Sequence, residues 1–111
     1  MPETDFEIRR GNNTPVTWEF VDAQGAAQDL AGATFVLTVA WRGALIVKDS
    51  SDPGLEVRAE TGEVVWTPSL SESRMIPVGR VARYELEWRS GGKQRTWASG
   101  TVTGVGGLGG D

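Results

Sequence analysis

The chain of 111 residues contains no cysteine and no histidine. The first absence excludes disulfides and thiolate metal sites. The second removes the commonest general base and the commonest metal ligand together. No apolar run approaches the roughly 20 residues of a membrane-spanning helix, so membrane insertion is not expected. The opening segment Met1-Pro2-Glu3-Thr4-Asp5 is acidic and polar, unlike a secretory signal. A basic excess is also missing. Eleven Lys and Arg face 15 Asp and Glu, for a net charge of -4. Arg9-Arg10 is the one adjacent basic pair, and Asp5 and Glu7 stand beside it. Phosphate binders gather positive charge on one face, so nucleic acid is not the expected partner.

Catalytic constellations are equally scarce. A serine nucleophile needs a base and an orienting group, and no histidine exists to serve. A Ser–Lys dyad would have to use Lys48 or Lys93, which stand beside turns where lysine is normally solvated. Glu85 and Glu87 alternate with Tyr84, Leu86 and Trp88, which places both carboxylates on the outer face of a strand. Asp49, Asp52 and Glu56 are acidic enough to surround a calcium ion, but their spacing matches no EF-hand loop. Turn chemistry accounts for Asp52-Pro53-Gly54 by itself. The expectation is a non-enzymatic protein with no catalytic residue, cofactor or metal.

Present in the chain are glycine (15), tryptophan (5) and a repeated alternation of apolar and polar residues. The clearest case comes after Asp29-Leu30-Ala31-Gly32-Ala33. There Phe35, Leu37, Val39 and Trp41 recur at every second position, as in a half-buried strand. The same reading predicts strands over 5–10, 15–21, 44–48, 55–59, 63–67, 81–89 and 94–103. Ser69-Leu70-Ser71-Glu72 has the spacing of a helix capping box, and Pro77 and Gly79 limit the helix to a turn near 70–76. Ser90-Gly91-Gly92-Lys93 reads as a tight hairpin turn. A two-residue loop there sets Leu86 opposite Trp97 and Tyr84 opposite Ser99.

These elements predict an all-β fold, an antiparallel immunoglobulin-like β-sandwich of about 7–8 strands. It forms a single domain over 1–103, with a flexible Gly-rich tail over 104–111. A domain this size buries roughly 65% of its unfolded surface. Trp18, Trp66 and Trp88 fall in register with other apolar residues and are expected in the core, with Trp97 joining them through its pairing with Leu86. Trp41 lies at a strand end, half exposed, with Arg42 beside it. Trp41 and Arg42 are therefore the candidate contacts for a protein interface or a sugar ring.

The order of the pieces carries a resemblance. Phe6-Glu7-Ile8-Arg9-Arg10-Gly11 is followed by Asp22 to Gly25, by Asp29 to Ala33 and by the alternating strand. Gly62-Glu63-Val64 comes next, then Leu70-Ser71 with Pro77-Val78-Gly79, the Tyr84-Glu85-Leu86-Glu87 strand and Gly100-Thr101-Val102. From about Phe6 to Val102 this resembles phage and prophage structural domains found at the N-terminus of baseplate upper proteins. The resemblance implies an immunoglobulin-like sandwich that docks on other phage structural proteins, or on copies of itself, in a tail, baseplate or head-associated position. It implies residence in the virion, after synthesis in the bacterial cytoplasm. In longer relatives an adhesive or trimerising domain follows; here a glycine tail follows, which points to an adaptor, decoration or accessory role. The alternative reading is a carbohydrate-binding module using an exposed tryptophan.

Overall fold

The computed structural model describes residues 4–106. Its strands, in chain order, are β1 (Phe6–Arg9), β2 (Val16–Glu19), β3 (Thr34–Trp41), β4 (Ala44–Asp49), β5 (Leu55–Arg58), β6 (Glu63–Trp66), β7 (Gly79–Ser90) and β8 (Lys93–Val105). A single short helix, α1 (Leu70–Met75), interrupts them. Two sheets form, one of five strands in the order β1-β8-β7-β3-β4 and one of three in the order β2-β6-β5. The fold is all-β, with two layers packed over one core. β8 continues through Gly104 and Val105, into the segment expected to be tail. Residues 107–111 of that expected tail lie outside the described residues.

The alternation in β3 is matched by its burial. Phe35, Leu37 and Val39 are fully buried, while Thr34 and Ala40 are exposed. Leu86, Tyr84 and Ala82 of β7 face the same core, as do Trp18, Val64 and Trp66 of the smaller sheet. Trp88 is only partly buried, at the margin of that core. The helix forms over the predicted turn. Ser69 Oγ accepts the Glu72 N–H at 3.1 Å, and the Glu72 carboxylate accepts the Ser69 N–H at 2.9 Å. The other oxygen of Glu72 reaches Lys48 Nζ at 3.2 Å, with both side chains mostly buried. Lys48 is thus an ion-pair partner tying α1 to β4, not the solvated side chain expected.

Two expectations of pairing fail for one physical reason. The sheet is not wholly antiparallel, because β1 runs parallel to β8, with Phe6 beside Val102 and Arg9 beside Val105. Where this pairing begins, the Thr4 backbone lies directly against Gly100 of β8. A Cβ there would lie 2.3 Å from the Thr4 carbonyl oxygen, so only glycine permits the approach. The hairpin starts in the expected register, with Ser90 opposite Lys93 and Glu87 opposite Thr96. A bulge then sets Leu86 opposite Ala98 and Tyr84 opposite Gly100, leaving Trp97 as the extra residue. Without that bulge Ser99 would occupy the inward place where Thr4 passes. The extra residue is not wasted, since Trp97 stacks on Trp88 with ring centres 5.2 Å apart and planes within 6°.

Aromatic rings fill both ends of the core. Phe20, Phe35, Trp88 and Trp97 form one cluster, and Phe6, Trp18, Trp66 and Tyr84 the other. In the second, the Trp18 indole N–H donates to the Tyr84 hydroxyl at 3.1 Å, and that hydroxyl donates to the Thr4 carbonyl at 2.5 Å. This relay joins both sheets and the N-terminal segment. Tyr84→Phe strands a buried donor and an acceptor, so urea unfolding should show a loss of about 1–3 kcal/mol. Gly100→Ala should cost a similar ~1–3 kcal/mol through overpacking against the Thr4 backbone. Unchanged midpoints in both variants would refute this role for the relay and the close approach at Gly100.

Candidate docking surface

The β3–β4 hairpin carries the surface of most interest. Arg42 and Gly43 make its tip, and Gly43 adopts φ 94°, a conformation that favours glycine. Trp41 pairs with Ala44 across this tip, and the register then runs unbroken to Val36 and Asp49. The candidate residues Trp41 and Arg42 are neighbours in sequence but differ in burial. Trp41 is half-buried and packs against the core, whereas Arg42 is exposed at the tip.

Ile46 is the inward residue of β4, at 6% exposure. Its neighbours Leu45 and Val47 face outward, at 57% and 52% exposure. Ala40 lies opposite Leu45, Thr38 opposite Val47 and Val36 opposite Asp49. The outer face of β3 and β4 is therefore a mainly apolar strip. On its β7 side it meets Arg83, Glu85 and Glu87, so charge bounds it there. Glu87 is bonded to Arg89 on that strand. The two glutamates thus lie in line on an outer face of the sheet, opposite Thr38 and Val36.

β4 is also the last strand of its sheet, so among the described residues one side of its backbone has no neighbouring strand. Exposed strand edges template pairing with other chains, and folded proteins usually blunt them with charge, proline or bulges. The other free edges are blunted or short. β5 presents Glu56 and Arg58, whose side chains pair with each other, and Arg58 also lies 3.8 Å from Glu63. The hydrogen bond that Arg58 donates to the Glu56 carboxylate raises the Arg58 pKa. β1 and β2 have four residues each. β4 has six, without proline or bulge.

The loop after β4 uses its carboxylates internally. Asp49 accepts from the Ser51 hydroxyl and from the Ser51 N–H at 2.8 Å, while Asp52 accepts the Asp49 N–H at 2.9 Å. Turn chemistry thus occupies two of the three acids weighed for calcium. Among the described residues no group of three or more acids is placed to hold a metal ion. An open groove along β5, lined by Leu55, Val57, Val65 and Thr67, includes Glu56 and Arg58, which are paired with each other.

The signal for the β4 strip was present in the sequence. Ala44-Leu45-Ile46-Val47 lacks the polar alternation of a strand with one wet face. No family model matches the chain, and no curated protein matches it.

The Ser51 hydrogen bonds favour the ionised form of Asp49 and hold its carboxyl below the ordinary aspartate value. A lowered folded-state pKa gives stability that is complete above the unfolded value and lost as pH falls through the folded value. Carboxyl NMR should show Asp49 titrating below an ordinary aspartate, and Ser51→Ala should move it back up. Titration at the ordinary value in the wild-type chain would contradict the turn geometry.

Proposed function

We propose that this chain is a non-enzymatic docking module of a phage or prophage virion, binding other structural proteins through the outer face and free edge of β4. The observation that carries the docking role is the strip Leu45–Val47 on an unblunted edge strand, which is an attachment surface in form and chemistry. The virion setting rests on the ordered set of turns and strands from Phe6 to Val102 and on its likeness to baseplate upper domains. Tail, baseplate and head-associated positions all suit such an adaptor or decoration protein. It would be made in the bacterial cytoplasm and retained in the particle.

We also read the sandwich as immunoglobulin-like. The order β2-β6-β5 corresponds to strands B, E and D of that fold, and β8-β7-β3-β4 to G, F, C and C′. In antibody domains a disulfide joins strands B and F. Here the same two strands are joined by the Trp18–Tyr84 hydrogen bond, in a chain that has no cysteine.

Mass spectrometry of purified particles and their assembly intermediates tests the proposal. The chain should be present at a fixed copy number relative to the major structural proteins. Its absence from both mature particles and intermediates would remove the virion reading.

A further inference from the structure

Along β4 the backbone groups alternate in direction. In a hairpin with a two-residue tip, the flanking pair Trp41 and Ala44 exchanges both hydrogen bonds. Ala44, Ile46 and Lys48 therefore bond to β3, and Leu45, Val47 and Asp49 turn their N–H and C=O groups to the open side. Asp52 already takes the Asp49 N–H. That leaves Leu45 and Val47 with complete sets of free groups, and the same two residues carry the exposed apolar side chains.

We infer that β4 pairs antiparallel with β4 of a second copy, with Leu45 of each opposite Val47 of the other. The two residues then exchange both hydrogen bonds twice over, about a two-fold axis at Ile46, and two five-stranded sheets become one continuous sheet. The side chains form an apolar cluster across the axis, with Ala40 and Thr38 beside it.

Charge selects the same arrangement. Arg42 stands at one end of β4 and has no ion pair among the described residues, whereas Asp49 and Asp52 stand at the other end. Antiparallel pairing brings Arg42 of each copy beside Asp49 and Ser50 of the other. Parallel pairing would set Arg42 against Arg42 and acid against acid, which is unfavourable. Commitment to a second copy follows from this self-complementarity, because one short strand supplies both the apolar pair and the opposite charges.

An edge contact of two short strands belongs among small interfaces, below about 1,200 Å², so the free pair is weak and gains from the high local concentration of an assembly. The pairing rests on the docking role proposed for β4 and deepens it by naming one partner of that edge. It is read out separately from the virion setting.

Sedimentation equilibrium of the full chain should show a monomer–dimer equilibrium in the micromolar range. Val47→Lys, an exposed substitution of the kind that blunts natural edges, should weaken it by about tenfold or more while leaving the circular dichroism unchanged. Because the native chain has no cysteine, Leu45→Cys and Val47→Cys chains can be mixed and oxidised without interference. Residues exchanging both hydrogen bonds have Cα atoms about 5.5 Å apart, within disulfide reach. In an equimolar mixture the mixed disulfide should therefore exceed the half share that random oxidation gives. A chain monomeric up to millimolar concentration, or a purely statistical mixture of disulfides, overturns the pairing. Self-association without incorporation into particles would instead remove the virion setting and leave the pairing standing.

Discussion

The close approach of the Thr4 backbone to Gly100 of β8 is the constraint on which the rest of the structure depends. Thr4 donates to the Ser99 carbonyl at 2.8 Å and accepts from the Tyr84 hydroxyl, while Asp5 accepts the Thr101 N–H at 2.8 Å. These bonds hold the chain beside β8, where β1 pairs in parallel along that edge. Glycine at position 100 is the steric condition for that approach, and the bulge at Trp97 sets this glycine opposite Tyr84. Trp18 then binds the same hydroxyl from the opposite sheet, so one phenol coordinates both layers.

The asymmetry of the larger sheet follows. One edge is covered by the chain's own start, and the other, β4, is left long, unbulged and apolar outside. The position of β4 is itself fixed from within, by Ile46 in the core and by the Lys48–Glu72 pair. Glu72 serves the helix cap and the ion pair with its two oxygens, so α1 acts as a strut behind the strand. An unbulged edge held from behind suits β-augmentation, in which main-chain hydrogen bonds supply the affinity.

Much of this was legible in the residues. The eight strands, the capping box at Ser69 and the two-residue Gly91-Gly92 tip all follow from local pattern. The direction of β1 did not, because alternation at Phe6 and Ile8 states which face is buried and says nothing of the neighbouring strand. The register past Trp97 was hidden for a related reason: a bulge answers a tertiary contact with Thr4, far away in sequence. Buried loop residues also escaped. Leu30 and Ile76 lie in segments that read as turns, yet both are core residues at 1% and 0% exposure. Of the candidate residues, Arg42 is exposed at the tip, while Trp41 packs against the core. Leu45 and Val47 carried a readable signal in four successive apolar residues, and alternation elsewhere drew attention away from it.

Amide hydrogen exchange in dilute solution, residue by residue, addresses the central claim most directly, namely that the β8 edge is closed and the β4 edge open. The Thr101 amide, bonded to Asp5, and the Ile46 amide, facing β3, should exchange slowly, whereas those of Leu45 and Val47 should exchange fast. Equal protection of Leu45, Ile46 and Val47 in a dilute monomer, or fast exchange at Thr101, would contradict the account.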